Sequence, residues 1–365
     1  MSPIISPAQN PLHQIIPAFQ IPMQNPVCRS NTYPQFITFT PSSGYNVPST
    51  LKPERWQALL KQYPDPQFSN IVAEIAKYGA RVGYEGPFIR VQGRNHPSVL
   101  HIPSEISQNI AAEVSAARVK EIKLSDFPHF YYISPLGAVQ KKTSGLQAGW
   151  RRIHDLSYPI GKSVNDGIPE QYGTLAYQTL NDAIRLIGKH GHRAILRKRD
   201  LKDAFRMIPV SPFDYWLFIF EWDGKLYIDL FLPFGLRTAP FIFNLFSEGL
   251  HWISEWVFSR DLVHYLDDFL FVNDLDPEFF STIASYLGLA ENIKKRKDGW
   301  VVDFTGIELD FNLMEARLPK DKHDRAIAGV QRLIESGLIT YRTLENLLGF
   351  LSFCAKVIPL GRPFL

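Results

Sequence analysis

The segment His264–Val272, HYLDDFLFV, constrains the fold of this 365-residue chain most, because two adjacent carboxylates interrupt an apolar run. The flanking residues are rich in Tyr, Phe and Val, so the pattern predicts two strands with Asp267 and Asp268 at the turn between them. Adjacent carboxylates repel each other and prefer water, which conflicts with these apolar surroundings. Two interpretations stay open at this point: a solvated turn, or a carboxylate pair neutralised by a divalent cation.

A second acidic segment follows the apolar residues Ala194–Leu196, which predict a strand over 193–196. This segment, RKRDLKDAFRMIPV, places Asp200 at the end of the strand and Asp203 one turn later. An Asp at a strand end facing an Asp-bearing hairpin is typical of phosphoryl transfer by two Mg²⁺ ions about 3.5–4 Å apart. Carboxylates suit this site because Mg²⁺ prefers oxygen ligands.

A loop and a basic stretch complete the set of candidate sites. The prolines and Gly235 of LPFGLRTAPFIFN predict a rigid loop, Thr238 is a predicted N-cap of the next helix, and Arg237 is expected near that helix N-terminus. A basic hairpin is predicted further upstream, where twelve residues contain four cations and no acid. It is either a solvated face or a surface for a triphosphate or nucleic-acid backbone. The four cations are Lys141, Lys142, Arg151 and Arg152.

Composition excludes several classes of protein. The 39 Lys and Arg against 36 Asp and Glu leave a formal charge of +3, which excludes a histone-like polybasic binder. The two cysteines, Cys28 and Cys354, cannot form a disulfide framework or a four-cysteine zinc site. The sequence shows neither a secretory signal nor a long apolar span, so we expect an intracellular protein, cytoplasmic or nuclear and not secreted.

The chain divides by texture into four predicted regions. Residues 1–50 hold nine of the 27 prolines and no Asp or Glu, which predicts a disordered or extended leader. Residues 51–125 are predicted to be a small helical region without a catalytic signature, with helices at Lys52–Leu60, Ser69–Tyr78 and Ser104–Val119. Residues 126–318 mix strands and helices, and 319–365 predict a helix pair divided near Gly337.

Further elements are expected within the mixed region. Asp223-Gly224 is a turn signal and predicts a hairpin between the runs Trp216–Trp222 and Lys225–Leu230. A short strand is predicted at Leu136–Val139, and a long helix is predicted after Pro240.

Taken together and in order, these motifs resemble reverse transcriptases. The motifs are Lys141 with Gly149–Arg151, Asp200 with Asp203–Phe205, Pro233–Gly235, Tyr265–Asp268, and Phe304–Leu309 as a primer-grip hairpin. The resemblance covers roughly residues 50–365 and is strongest over 130–310. Other stretches look like DIRS-like, tyrosine-recombinase-type or related retroelements, namely Ile153–Pro159, Ser163–Ile168, Met314–Pro319 and the ending GRPFL.

The resemblance implies an α+β, right-hand polymerase fold, with fingers and palm over 126–318 and a partial thumb over 319–365. It implies an RNA-directed DNA polymerase without RNase H, which transfers deoxynucleotides (dNTPs) to a primer 3′-hydroxyl. The implied partners are an RNA template, a DNA or RNA primer and dNTPs, with no membrane. The implied cofactor is a pair of Mg²⁺ ions, with Mn²⁺ as a possible substitute.

The resemblance also implies residue roles. Asp200 and Asp267 are expected as the main metal ligands and catalytic residues, and Asp268 as the third. Phe205 matches a bulky gate against a ribose 2′-hydroxyl, and either Lys294 or Lys295 matches a lysine that protonates pyrophosphate. The implied nucleotide-binding residues are Lys141, Arg151, Asp203, Ala204, Phe205, Phe234, Gly235, Arg237 and Tyr265. The implied primer grip is Phe304, Thr305, Gly306 and Ile307.

Two departures keep alternatives open. Gln140 replaces a common proline, and Arg199 stands where an apolar residue is usual, so Arg199 must reach solvent, find an acid or mark decay. The alternatives are a catalytically inactive or domesticated remnant that only binds nucleic acid, and an RNA-directed RNA polymerase.

Overall fold

A computed structural model describes residues 33–34, 47–140, 149–191, 194–336 and 340–364 of the chain. Most of the predicted leader over 1–50 lies outside these ranges, as do Lys141, Lys142 and the predicted helix break at Gly337. All of the described residues belong to one compact unit, which extends over Thr32–Leu365.

Three of the four N-terminal helices form where the sequence predicts them, with shifted ends, and the short helix α3 was not predicted. Each begins with Pro in its first turn, where the missing N–H costs no hydrogen bond. The helices are α1 Pro53–Leu59, α2 Pro66–Tyr78, α3 Pro97–Leu100 and α4 Pro103–Ser115. The prediction was wrong in two respects: α4 ends before Val119, and this region also contains two strands, β1 Arg90–Gln92 and β2 Val119–Ile122.

Both strands join a five-stranded sheet with the order β1-β3-β7-β8-β2. Its other members are β3 Tyr131–Ile133, β7 Ile219–Trp222 and β8 Lys225–Asp229. The predicted Asp223-Gly224 turn joins β7 to β8, and both turn residues have positive φ. Residues Pro212–Leu217 form a 3₁₀ helix, so the strand predicted from Trp216 begins only at Ile219. Because β2 pairs with β8, the helical region and the mixed region share one sheet.

A four-stranded sheet with the order β11-β6-β10-β9 lies at the centre of the mixed region. Its strands are β6 Leu196–Asp200, β9 Leu262–Tyr265, β10 Asp268–Val272 and β11 Lys297–Gly299. The predicted strand over 193–196 is displaced: β6 starts at Leu196, so Asp200 is its last residue. The predicted hairpin around the Asp pair is confirmed, since β9 and β10 pair with Asp268 opposite Tyr265.

Alternating side chains of β10 bury both faces of this sheet. Phe269 and Phe271 belong to the large core that includes the helices α6 Ala239–Trp252 and α7 Phe279–Leu287. Leu270 and Val272 face a second core, which includes the helix α5 Leu180–His190. A strand with apolar residues on both faces is therefore covered by helices on both sides.

The remaining elements are a hairpin, a small sheet and the terminal helices. The hairpin is β4 Leu136–Gln140 with β5 Trp150–His154, and the small sheet is β12 Val301–Phe304, β13 Ile307–Asp310 and β14 Glu315–Arg317. The two predicted terminal helices are confirmed as α8 Lys320–Ser336 and α9 Tyr341–Cys354. None of the helices in the described ranges combines the length and apolar character that a bilayer crossing requires.

Candidate active site

The three candidate metal-binding carboxylates lie at one end of the central sheet. The register of β6 and β10 places Asp200 directly opposite Asp268. Beyond β6, the N–H of Leu201 donates to the carbonyl oxygen of Asp267 at 2.9 Å. The strand end and the hairpin predicted from sequence are thus hydrogen-bonded to each other.

Two lysines compensate part of the negative charge. Nζ of Lys295 lies 2.7 Å from Oδ2 of Asp200, whose side chain is almost fully buried. Nζ of Lys198 lies 3.6 Å from Oδ2 of Asp268 and 3.1 Å from Oδ2 of Asp303. Lys198 and Asp200 share a face of β6 because side chains two positions apart on a strand point the same way.

Burial and neighbouring carboxylates raise the pKa values of the Asp pair. Burial, and beside it the charge of Asp200, raise the pKa of Asp267 above its ordinary value. Burial, together with the charges of Asp267 and Asp200, raises the pKa of Asp268 to about 6, although Lys198 opposes this shift. Burial is the largest cause of both shifts, and the like charges of the neighbouring carboxylates add to it.

A cavity of about 260 Å³ contains part of the predicted nucleotide-binding set. Arg151 of β5, Asp203 and Phe234 line it together, and the Arg151 guanidinium lies 5.7 Å from the centre of the Phe234 ring. Lys141, which the resemblance places with Arg151, lies outside the described residues. Further lining comes from residues that carry a buried charge network: Glu113, Arg118, Arg152, His154, Arg206 and Asp229.

The predicted gate residue belongs to an aromatic cluster beside this cavity. The ring of Phe205 lies 5.4 Å from that of Phe234 and 5.6 Å from that of Phe243 on α6. Ala204 precedes it with φ of +35°. Gly235 follows Phe234 with φ of +105°, and a Cβ there would lie 2.9 Å from the carbonyl oxygen of His154. Gly235 is therefore required by its backbone conformation and by this close approach.

Other predicted residues lie elsewhere. Arg237 does not line the cavity, and its guanidinium donates to the carbonyl oxygen of Ile168 at 2.6 Å. Thr238 is the N-cap residue of α6, as predicted, but its side chain makes no capping hydrogen bond, and its hydroxyl donates to the carbonyl oxygen of Val82 at 2.9 Å. Tyr265 is partly exposed, and its ring lies 4.7 Å from that of Tyr177.

The predicted primer-grip residues form the hairpin between β12 and β13. Phe304 pairs with Ile307, and Thr305 and Gly306 make the turn with φ of +48° and +81°. Nζ of Lys322 on α8 donates to the carbonyl oxygen of Gly306 at 2.6 Å. The hairpin tip is thus tied to the first terminal helix.

Residues 140–291 match the family model described as reverse transcriptase (RNA-dependent DNA polymerase). This range spans β5, the strand end with Asp200, the Phe234 loop and the Asp267-Asp268 hairpin. These residues form a reverse transcriptase domain.

Curated relatives of the domain include two viral polyproteins. The chain is 25% identical over 167 residues to the Pro-Pol polyproteins of feline foamy virus and of simian foamy virus type 1. The match covers 44% of this chain but only 13% of each polyprotein.

Solved reverse transcriptase structures match more of the chain than residues 140–291. A foamy viral protease-reverse transcriptase in complex with double-stranded DNA matches 86% of this chain and 54% of its own, with a TM-score of 0.52 and 16% identity. A complex of the foamy viral enzyme with an RNA/DNA hybrid has the same TM-score and identity, and the match covers 41% of that chain. The predicted α+β right-hand polymerase fold is therefore confirmed.

The reverse transcriptase domain can be tested for its fit to a divalent cation. Oδ1 of Asp200 is buried without a hydrogen-bond partner, an unusual state for a carboxylate oxygen. Within the described ranges, no group of three or more His, Cys, Asp or Glu residues can hold a metal ion as it stands. The residue types and the unpartnered Oδ1 of Asp200 fit a magnesium site once Lys295 leaves Oδ2 of Asp200.

Sequence reasoning missed the charged residues behind the site. Lys198 could have been found, because it lies two positions before Asp200 on the same strand. Arg199 stands where an apolar residue is usual, and it is only 1% exposed. Of the three possibilities given for it, it pairs with an acid, with Nη1 2.6 Å from Oδ1 of Asp298. No local pattern predicts Glu113 or Arg118, which belong to a different predicted region.

Proposed function

We propose that this chain is the polymerase part of a retroelement reverse transcriptase, which extends a primer 3′-hydroxyl with dNTPs on an RNA template. The proposal depends mainly on one observation. Asp200 lies directly opposite Asp268 of the Asp267-Asp268 hairpin, on the neighbouring strand, and all three residues lie within the range that matches the reverse transcriptase family model. The similar foamy viral structures are complexes with double-stranded DNA and with an RNA/DNA hybrid, which supports nucleic-acid partners for this chain.

Asp200 and Asp267 would hold two Mg²⁺ ions, with Asp268 as a weaker third ligand. Bound Mg²⁺ supplies charge neutralisation for the attacking hydroxyl, the transferred phosphoryl group and the departing oxygen. Arg151 would hold the triphosphate of the incoming nucleotide in the cavity that it shares with Asp203 and Phe234. The fold then contributes positioning and fixed charge, which is most of what phosphoryl transfer requires.

A finer assignment rests on motifs outside the catalytic centre. The stretches Ile153–Pro159, Ser163–Ile168 and Met314–Pro319 support placement of the chain with DIRS-like or related elements. The curated relatives reported above are foamy virus proteins, so this placement stays part of the proposal.

Two alternatives are less well supported. A catalytically inactive remnant would tolerate loss of the acidic site, yet all three carboxylates are present and Arg199 is paired rather than stranded. An RNA polymerase would need room for a ribose 2′-hydroxyl, whereas the bulky Phe205 stands beside the cavity residue Phe234.

Primer extension by the purified chain tests the proposal. The substrates are an RNA template with a DNA primer, dNTPs and MgCl₂, and the variant is Asp267→Asn. Asp223→Asn is the matched control because Asp223 is an exposed turn residue of the β7–β8 hairpin. We expect extension by wild type and Asp223→Asn, and a loss of about three orders of magnitude or more in Asp267→Asn.

Two outcomes contradict the proposal. Binding of primer-template without extension by wild type supports the remnant. Extension with ribonucleotides at the rate seen with deoxynucleotides supports the RNA polymerase.

A further inference from the structure

A buried ion cluster beside the nucleotide cavity is centred on Glu113, near the end of α4. Its carboxylate accepts from two arginines: Nη2 of Arg118 lies 2.7 Å from Oε1, and Nη2 of Arg206 lies 2.7 Å from Oε2. Nε of each arginine also donates to Oε2, at 3.2 Å and 3.1 Å. Burial alone would raise the pKa of Glu113, but the two arginines outweigh it and hold the pKa below its ordinary value.

The two arginines hold the turn that carries Phe205 at both of its ends. Nη1 of Arg118 lies 2.9 Å from Oδ2 of Asp203, at the start of the turn. Arg206 is the residue after Phe205, and its side chain is only 7% exposed. Glu113 therefore connects both ends of the turn through charge-assisted hydrogen bonds, which are stronger than neutral ones.

The turn needs this support because its backbone is strained. Asp203 has φ of +62° and Ala204 has φ of +35°, and neither is glycine. Such conformations cost about 1–3 kcal/mol each and persist only where the surroundings impose them. Release of the side-chain contacts would let the turn relax and would move Phe205.

The cluster is anchored further inside the fold. Nη2 of Arg206 lies 2.8 Å from Oδ1 of Asp229 on β8, and Oδ2 of Asp229 lies 2.9 Å from Nδ1 of His154 on β5. Asp229 is fully buried. β5 also carries Arg151, so the network connects the turn that carries Phe205 to the strand that carries the predicted triphosphate ligand.

We propose that Glu113 is a positioning residue that fixes the placement of Phe205 and thereby the preference for deoxynucleotides over ribonucleotides. The inference rests on the proposed polymerase function and on the gate role of Phe205. Glu113 lies outside every motif of the reverse transcriptase resemblance, and in a region for which the sequence predicts no catalytic signature. Without its charge, Arg118 and Arg206 lose their common partner and the turn loses its support.

The test measures kcat/KM for dGTP and for GTP in single-nucleotide extension by wild type and Glu113→Gln. We expect Glu113→Gln to lower the dGTP/GTP ratio about tenfold, which is less than the roughly 10²-fold that a displacement of about 1 Å can cost. Phe205→Ala is the positive control and is expected to lower the ratio further. Glu105→Gln is the matched control, because Glu105 is exposed on the same helix, and it should keep the wild-type ratio.

The possible results separate this inference from the function on which it rests. A general structural defect in Glu113→Gln would reduce kcat/KM for both nucleotides equally, and the unchanged ratio would overturn the inference. An unchanged ratio in Phe205→Ala overturns the gate and the inference with it. Absence of extension by wild type contradicts the proposed function itself.

A second variant covers the case in which Glu113→Gln does not fold. Arg118→Met removes the contact with Asp203 from a side chain that is 23% exposed, and it leaves Glu113 paired with Arg206. We expect a smaller fall of the dGTP/GTP ratio in the same direction. A wild-type ratio in this variant overturns the inference.

Discussion

The ammonium group of Lys295 lies 2.7 Å from Oδ2 of Asp200, on the carboxylate expected to bind magnesium. Backbone hydrogen bonds bring the lysine there: the N–H of Asn292 donates to the carbonyl oxygen of Asp200, and the N–H of Lys202 donates to that of Ala290. The segment that carries Lys295 thus runs along the end of β6. This contact separates Lys295 from its neighbour Lys294, which the sequence left as an equal candidate for the proton donor.

Lys295→Met is expected to lower kcat for nucleotide addition by about 10²-fold, the usual size of a lost proton donor. Lys294→Met is the matched control, because Lys294 has the same charge on the same segment, and it should retain activity near wild type. Single-turnover incorporation of one deoxynucleotide measures both variants. Equal losses in the two variants, or a loss in Lys294→Met alone, would contradict the assignment of Lys295.

Asp268→Asn should stabilise the metal-free fold at neutral pH while it reduces activity. The pKa of Asp268 is raised from 3.8 to about 6, so the folded state keeps its proton to higher pH than the unfolded state. This carboxyl therefore lowers the stability as pH rises through that window, and the neutral amide avoids the loss. We expect a gain of about 1–3 kcal/mol in the free energy of unfolding by urea at pH 8 with EDTA.

The control for this prediction is Asp223→Asn, an exposed turn substitution that should leave the free energy of unfolding unchanged. The gain expected in Asp268→Asn should also disappear at pH 4, where the wild-type carboxyl is already protonated in the folded state. A lower free energy of unfolding in Asp268→Asn than in wild type at pH 8 would contradict this prediction, because it would mean that nearby cations such as Lys198 stabilise the charge of Asp268.

The parts of the site that sequence could predict depend on local pattern. The hairpin around Asp267 and Asp268 follows from two apolar runs and a polar turn, and the structure pairs β9 with β10 as expected. Asp200 was predicted at a strand end, although the strand itself lies further along the chain. Its residues Arg197, Lys198 and Arg199 look unsuited to a buried strand, which is why sequence reasoning ended the strand too early.

The parts that sequence could not predict depend on long-range ion pairs. Arg199 is buried because Asp298, 99 residues away, accepts from it, and no local window contains both. Arg206 is buried against Glu113, 93 residues away, for the same reason. Thr238 is the N-cap residue of α6, as predicted, but its hydroxyl donates to the distant carbonyl of Val82 and makes no capping hydrogen bond. Tertiary partners decide these positions, and their identity is fixed only by the fold.

Arg199→Met tests whether the buried arginine stabilises the strand that ends in Asp200. Besides Asp298, Arg199 contacts Glu291 at 3.6 Å and donates to the carbonyl oxygen of Pro277 at 3.0 Å. Removal of one partner of a buried pair costs about 3–5 kcal/mol when the other charge is left alone. Here Glu291 keeps Arg296 at 2.7 Å, so we expect a loss of about 2–3 kcal/mol in urea unfolding.

Arg185→Met is the matched control for Arg199→Met, because the Arg185 side chain is 77% exposed and should contribute little. A change within about 0.5 kcal/mol in Arg199→Met would show that an apolar residue serves this position equally well.

The buried His264 is expected to make the free energy of unfolding depend on pH. Its Nδ1 lies 3.0 Å from Nδ1 of His251, and its Nε2 lies 3.9 Å from Oε2 of Glu248. Burial, and beside it His251, lower the pKa of His264 well below 6.5. Below pH 6.5, this histidine is therefore protonated in the unfolded chain but stays neutral in the folded protein. The free energy of unfolding should then fall as pH drops, by up to about 1.4 kcal/mol per pH unit.

Burial raises the pKa of Glu248, so this carboxyl makes the folded state more stable as pH falls, which opposes the effect of His264. A comparison of variants is therefore needed to isolate the contribution of His264. Glu255, whose Oε2 lies 3.4 Å from Nε2 of His251, also faces the histidine pair. Urea unfolding of wild type, His264→Gln and the exposed control His101→Gln between pH 7.5 and pH 5 measures the slope. We expect a shallower slope only in His264→Gln, and equal slopes in all three proteins would mean that His264 takes up its proton without a cost to the fold.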